Sequence, residues 1–243
     1  MTTEHLDPPV AAHVAEMPAE AAIRWALDRF HPRIAFASSF GAEDVVVIDM
    51  LMKVRVDARI FTLDTGRLHE ETYDLMERVR RRYGITIECH FPERERVEAL
   101  VREKGLHSFR LGLADRKECC AIRKVEPLRR ALHGLHAWIS GLRRDQAVTR
   151  GALRKLETDA LVPGLVKLNP LADWSHDDVW RYIRANDLPY NALHDRGFPS
   201  IGCAPCTRAV ADGEDVRAGR WWWELPEQKE CGLHGGPAAV RPA

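Results

Sequence analysis

Cys119 and Cys120 are adjacent, and far along the chain Cys203-Ala204-Pro205-Cys206 forms a C-x-x-C, so four of the six cysteines fall into two close pairs on distant segments. A fold that uses both pairs at one centre must bring those segments together. Neighbouring cysteines point in different directions and rarely join in a disulfide with each other, whereas two pairs from separate segments can close a cage of four thiolates. Structural zinc usually takes ligand pairs with residues between them, because both thiolates must reach one small tetrahedral ion. An iron–sulfur cube spreads its corners and accepts adjacent cysteines on separate irons. The tandem pair therefore favours one 4Fe-4S cluster on Cys119, Cys120, Cys203 and Cys206, with zinc or free thiols as the alternative.

The other two cysteines sit in different settings. Cys89 belongs to the apolar run Ile85-Thr86-Ile87-Glu88-Cys89-His90-Phe91 and is expected to be a buried strand residue. Cys231 lies in Glu230-Cys231-Gly232-Leu233-His234-Gly235-Gly236, a glycine-rich stretch that a packed core would not use. It reads as a reactive thiol on a mobile tail running from about 224 to 243.

At 243 residues and 45% hydrophobic content the chain fits one α/β domain spanning 1–243, with little room for a second. Its 36 basic and 36 acidic residues cancel, so no global field advertises nucleic acid or membrane. Local basic clusters must carry any anion recognition. No basic start precedes an apolar stretch, and no run of about 18 apolar residues occurs, which leads to the expectation of a cytoplasmic protein whose thiols stay reduced.

Strand-like and helix-like segments alternate. Residues 18–30 read as a helix, 33–38 as a strand, 43–53 as a helix, 58–63 as a strand and 68–83 as a helix. The series continues with a strand over 85–91, helices over 92–104 and 117–132, and a strand over 137–140. Such alternation predicts an α/β fold with a mostly parallel sheet, helices on both faces and the ligand at the carboxyl ends of the strands.

Four loops at those ends carry suitable chemistry. Ser38-Ser39-Phe40-Gly41-Ala42-Glu43-Asp44 places a glycine and hydroxyls before a helix start, an arrangement that can offer N–H groups to a phosphate or serve turn geometry alone. In Leu63-Asp64-Thr65-Gly66-Arg67 the acid or hydroxyl can equally act as a helix cap. Arg143 and Arg144 follow a strand in Ser140-Gly141-Leu142-Arg143-Arg144-Asp145-Gln146, where paired guanidiniums suit phosphate or sulfate oxygens, or are simply solvated. After the C-x-x-C come Arg208, Arg217 and Arg220, the last preceding Trp221-Trp222-Trp223, which reads as a lid or a core anchor.

These motifs together resemble the assimilatory sulfonucleotide reductases, and among them the iron–sulfur adenylylsulfate (APS) reductases. The resemblance runs from the Ser38 loop to Gly235 and rests on the two cysteine pairs, Leu63-Asp64-Thr65-Gly66, Gly141-Leu142-Arg143-Arg144-Asp145-Gln146 and Glu230-Cys231-Gly232-Leu233-His234. It implies the adenine nucleotide α-hydrolase-like fold, related to ATP pyrophosphatases. The Ser38 loop departs from the Ser-Gly-Gly-x-Asp-Ser form of those ATP enzymes, which disfavours ATP activation.

The activity implied is reduction of APS to sulfite and AMP in sulfate assimilation and cysteine biosynthesis. Cys231 would attack the sulfate sulfur to give an enzyme S-sulfocysteine, and thioredoxin or another dithiol would release sulfite. The resemblance places Ser38, Ser39 and Gly41 at the phosphate side, Leu63 and Gly66 near adenosine, and Arg143, Arg217 and Arg220 on the anionic groups, with Arg144 and Arg208 as further candidates. Lys124, one turn after Cys120, would lie between cluster and substrate, its bland alternative being a surface lysine; His234 would tune the thiol or belong to a docking tail. No nucleic acid or membrane partner is expected, and a homo-oligomer is left open. The alternatives are a reductase of 3'-phosphorylated APS (PAPS) or of both substrates, a cluster-bearing tRNA thiolase, and a zinc-binding interaction module.

Overall fold

A computed structural model of the chain describes residues 7–147, 150–225 and 228–229. Six strands form one sheet: β1 (Ile34–Ser38), β2 (Arg59–Leu63), β3 (Glu88–His90), β4 (Ala137–Ile139), β5 (Leu156–Thr158) and β6 (Val166–Leu168), in the order β3-β2-β1-β4-β6-β5. All neighbouring pairs are parallel except β5 with β6. The predicted α/β architecture is therefore the observed one.

Burial explains the strand sequences. β1 and β4 sit inside the sheet, and both read as nearly unbroken apolar runs because both faces are covered. Ile34 and Phe36 pack with residues of α2 (Ala19–Phe30) and α3 (Ala42–Val54), whereas Ala35, Phe61 and Trp138 pack with Leu128, Ala131 and Leu132 of α7 (Glu126–Leu132). The alternating side chains of one strand thus feed two separate cores.

The chain also carries α1 (Pro8–Glu16), α4 (Glu70–Tyr83), α5 (Arg94–Lys104), α6 (Leu113–Cys120) and α8 (His176–Ala185). α4 stops at Gly84, whose φ of 64° is the left-handed cap that glycine adopts without a Cβ penalty. α8 starts at Ser175, whose hydroxyl accepts from the Asp178 N–H at 3.1 Å.

Two expectations are corrected. The strand read over 85–91 contracts to Glu88–His90 at the sheet edge, where Cys89 is exposed rather than buried. The helix read over 117–132 is interrupted: α6 ends at Cys120, a π turn occupies Ala121–Val125, and α7 follows.

The strand order reverses between β1 and β4. β2 and β3 extend the sheet to one side of β1, and β6 and β5 extend it beyond β4. In open parallel sheets the crevice at the carboxyl ends of such a pair is the ligand site.

Candidate active site

A cleft of about 210 Å³ opens at that switch point. Ser38 at the end of β1, Ser39 and Gly41 after it, Leu63 at the end of β2, and Gly141 and Arg143 after β4 line it, together with Lys124, Arg217 and Arg220. Arg144, Arg208 and Gly66 do not. Arg144 donates to the Leu153 carbonyl at 3.1 Å, Arg208 pairs with Glu214 at 2.8 Å, and the Gly66 N–H bonds Asp64 at 2.7 Å.

The turn after β1 differs from the simple phosphate cradle its sequence allows. The Ser39 N–H and hydroxyl donate to one oxygen of Asp44 at 2.6 and 2.8 Å, and the Gly41 N–H reaches the same oxygen at 3.4 Å. The Phe40 N–H donates to the Ser38 hydroxyl at 3.1 Å. These donors are already engaged within the turn. Burial raises the Asp44 carboxyl to about 6 in spite of these bonds, with Glu43 adding to the rise.

Arg143 is buried and committed to Glu43. Its Nε and Nη2 donate to one carboxylate oxygen at 2.9 and 2.8 Å, and Nη1 reaches the Trp174 carbonyl at 3.3 Å. Burial pushes the Glu43 carboxyl up, but the charge and hydrogen bonds of Arg143 outweigh it and leave Glu43 below its ordinary value. Two carboxylates and one arginine thus stand at the head of α3, while Lys124, Arg217 and Arg220 supply positive charge elsewhere in the cleft.

A smaller second cavity is lined by Cys119, Cys120, Cys203 and Cys206, with Arg67, Arg116, Arg123, Lys124, Arg220, Phe109 and Trp221 around them. The four cysteines come together from two segments: the last turn of α6, and Cys203 with the short 3-10 turn Ala204–Cys206 that follows it. Among the described residues no three His, Cys, Asp or Glu side chains stand close enough to hold a single metal ion, while all four thiols share one cavity. Lys124, Cys203, Arg220 and Trp221 line both cavities and form their common wall.

The electrostatics of this cavity are anion-seeking. The Cys203 thiol is pushed up by burial, but Lys124, the Thr65 hydroxyl, Arg220 and Arg123 together bring it below its ordinary value. Thr65 Oγ1 lies 3.3 Å from Cys203 Sγ. Burial, then the neighbouring Cys203, push Cys206 up to about 12. Arg123 Nε, Arg220 Nε and Trp221 Nε1 are buried without a hydrogen-bond partner, and all three residues line this cavity. Such donors fit a sulfur-rich anionic group better than four neutral thiols.

Packing fixes these groups. Trp221 is 2% exposed, and two guanidiniums, Arg116 and Arg220, each lie 4.7 Å from its ring centroid. Arg116 is itself 0% exposed and pairs with Glu224 at 2.8 Å. A Cβ on Gly202 would overlap the Arg220 guanidinium, so glycine is what lets that side chain pass. Among the three tryptophans, Trp221 is the core anchor and Trp222 lies largely at the surface.

Sequence reasoning passed over Arg116 and Arg123, and it did not assign Arg67, Thr65, Glu43 or Asp44 to the site by residue. Arg67, Thr65, Glu43 and Asp44 lay within motifs already singled out; Arg116 and Arg123 become legible only once the cysteine cavity is known. Cys231, His234 and the tail beyond Lys229 lie outside the described residues.

The match to a family model for the phosphoadenosine phosphosulfate reductase domain covers residues 33–209. The chain belongs to that family of oxidoreductases, and its fold is the one expected from the resemblance. It is 55% identical over 86% of its length to an adenosine 5'-phosphosulfate reductase of Allochromatium vinosum, covering 81% of that protein. It is 49% identical over 96% of its length to an adenosine 5'-phosphosulfate reductase of Burkholderia cepacia, covering 92% of it. The crystal structure of phosphoadenylyl-sulfate reductase from Candida auris, a phosphate complex, superposes with a TM-score of 0.72 at 29% identity, over 86% of this chain and 98% of that one.

Proposed function

We propose that this chain is a single-domain reductase that converts adenosine 5'-phosphosulfate to sulfite and AMP through an S-sulfocysteine at Cys231, with thioredoxin or another dithiol as reductant. The observation that carries this reading is the common wall of the two cavities, where Lys124 and Arg220 stand between a nucleotide-sized cleft and four cysteines. The names of the relatives support the substrate. A compartment that keeps thiols reduced, the cytoplasm, suits the five free cysteines among the described residues.

Charge orients the substrate. The phosphosulfate belongs with Lys124, Arg217 and Arg220, and the nucleoside then extends past Leu63 toward the head of α3. This reverses the expectation that the Ser38 turn holds phosphate, because its donors are taken by Asp44. The Cys231 thiolate attacks the sulfate sulfur. An S–S bond forms, the bond from sulfur to the bridging oxygen breaks, and AMP leaves with that electron pair, its charge met by the cations. One thiolate of the dithiol then attacks Cys231 Sγ and expels sulfite, and its second thiol resolves the mixed disulfide. The two electrons come from the dithiol, which ends oxidised.

Cys119, Cys120, Cys203 and Cys206 would hold a 4Fe-4S cluster, whose negative charge would order the surrounding cations. Lys124, shared by both cavities, is the residue through which that charge is balanced beside the substrate.

Intact-protein mass spectrometry tests the covalent step. Wild type incubated with APS and no reductant gains one SO3 group on the peptide containing Cys231, and thioredoxin removes it as sulfite. An adduct on another cysteine, or normal sulfite release by Cys231→Ser, overturns the mechanism. Iron and acid-labile sulfide in anaerobically purified protein test the metal centre; stoichiometric zinc without sulfide overturns it.

A further inference from the structure

A third concave surface lies outside the cleft and the cysteine cavity. Arg110 and Leu113, before and at the start of α6, and Trp222, Trp223, Leu225 and Gln228 line an open groove of about 700 Å³. Its rim is apolar and solvent-facing: Leu225 is 63% exposed, Trp222 39%, and Leu111, next to Arg110, 70%. The Arg110 guanidinium lies 5.7 Å from the Phe109 and Trp223 ring centroids and 5.8 Å from that of Trp222. Among the described residues no carboxylate pairs with it, since Glu224, the acid of the groove, is committed to Arg116 at 2.8 Å. Large apolar side chains gathered at one surface mark an interaction site, and tryptophan and arginine are the residues that dominate binding energy in such sites.

The course of the chain beside the groove identifies its occupant. Gln228 lines the groove, and its carbonyl accepts from Arg116 at 2.8 Å. The next residue, Lys229, is fastened to the cleft side: its carbonyl accepts from Arg217 Nη2 at 2.7 Å, and its ammonium donates to the Ala218 carbonyl at 3.2 Å. Arg217 is one of the cations of the cleft. The chain therefore passes from groove to cleft between Gln228 and Lys229, and Cys231 follows two residues later. Two residues span at most about 7 Å. A protein that approaches the Cys231 sulfur from outside must therefore land beside this groove.

We propose that the groove around Trp222 and Leu225 is the docking surface for the protein dithiol that releases sulfite from Cys231, and that this partner brings an apolar patch beside its reactive cysteine and a carboxylate for Arg110. This rests on the reading above, in which Cys231 carries the sulfo group. The partner's thiolate attacks Cys231 Sγ, the S–S bond to the sulfo group breaks, sulfite leaves with that electron pair, and a mixed disulfide remains for the partner's second thiol to resolve. A small dithiol reaches the sulfur by diffusion and needs no surface. A protein must be held with its thiolate in line with Cys231 Sγ, and burial of Trp222 and Leu225 under the partner supplies that hold.

Trp222→Ala and Leu225→Ser separate docking from chemistry, because both side chains are exposed and neither lines the cleft or the cysteine cavity. With the sulfo adduct formed beforehand on APS, the second-order rate of sulfite release by thioredoxin should fall at least about tenfold in each variant. Adduct formation itself, and sulfite release by dithiothreitol, should stay at wild-type rates. Arg110→Gln should flatten the salt dependence of the thioredoxin rate. Wild-type rates with thioredoxin in both variants overturn the proposal, and so does an equal loss with dithiothreitol, which would place these residues in the fold or the chemistry. If wild type forms no adduct on Cys231, the reductase reading fails on its own. Calorimetric titration of the unmodified chain with reduced thioredoxin then decides the groove: weaker binding by both variants keeps it as the docking surface, and equal or absent binding strikes it.

Discussion

The Asp44 carboxyl sits near 6 because burial costs its charged form more than the Ser39 and Gly41 donors return. Its folded value lies above the ordinary 3.8, so between those two values the folded state holds a proton that the unfolded chain has released. Stability from this group is therefore present at low pH and lost as pH rises through about 6. The full difference corresponds to about 3 kcal/mol at most. Urea unfolding of wild type and Asp44→Asn from pH 4 to 7 should show wild type losing stability relative to the variant as pH rises; a difference independent of pH refutes the assignment.

Lys124 belongs to the same scale. It lines both cavities and is one of the cations that bring Cys203 below its ordinary value. In the proposed mechanism Lys124 faces the leaving phosphate, so removing its positive charge should lower turnover by at least about 100-fold. Lys124→Ala should do so while keeping the far-ultraviolet spectrum of wild type, and wild-type kinetics in this variant would return Lys124 to the status of a surface lysine.

Among the elements, the π turn at Ala121–Val125 has the clearest consequence for the site. It follows the tandem cysteines and carries Arg123 and Lys124, so one irregular turn places two of the cations of the cysteine cavity. The second half of the cavity is fastened by Arg116 of α6, which pairs with Glu224 and also donates to the Gln228 carbonyl at 2.8 Å. That pair ties the helix bearing Cys119 and Cys120 to the segment bearing Trp221. Glu224→Ala should cost about 3–5 kcal/mol, because it strands a fully buried guanidinium. A thermal melt checks it, and an unchanged midpoint would mean that Arg116 finds another partner.

The first βα units were legible because their apolar strands alternate with helix-length segments, apolar nearly all round in α3 and clearly amphipathic in α4. α3 spans Ala42–Val54 against a reading of 43–53, and α4 spans Glu70–Tyr83 against 68–83. β5 and β6 are three residues each, too short for any period to emerge, and Leu-Glu-Thr and Val-Lys-Leu lack the unbroken apolar run that marks the equally short β4. α8 carried a readable start in Ser175-His176-Asp177-Asp178 that the sequence reading passed over. The π turn left no mark in the hydrophobic pattern, so one long helix was the natural reading of 117–132. In the candidate site, the cysteine pairs announced themselves by spacing and the Asp44 contacts to the Ser39 turn are local to one helix start, whereas the capture of Arg143 by Glu43 depends on side chains brought together only by the switch point.

At the scale of the whole molecule, the cysteine cavity joins two segments that are distant in sequence, and it does so inside a cage of Arg67, Arg116, Arg123, Lys124 and Arg220. Glu224 is the carboxylate paired with Arg116. The cluster proposed for the four thiolates would, through its net negative charge, both close a long loop and balance the remaining cations. Loop closure and metal binding each stabilise the folded chain over the unfolded one. Removing iron should therefore lower the melting midpoint by roughly 5–10 °C, a few kcal/mol for a chain of this size. The loss should shrink as ionic strength rises, because salt screens the repulsion felt by Arg67 and Lys124, the half-buried members of the cage. Calorimetry on anaerobic protein before and after chelation, at low and high salt, reads both effects. Equal midpoints for the iron-loaded and iron-depleted forms would show that apolar packing around Trp221 and Phe109 holds this end of the molecule without any cluster.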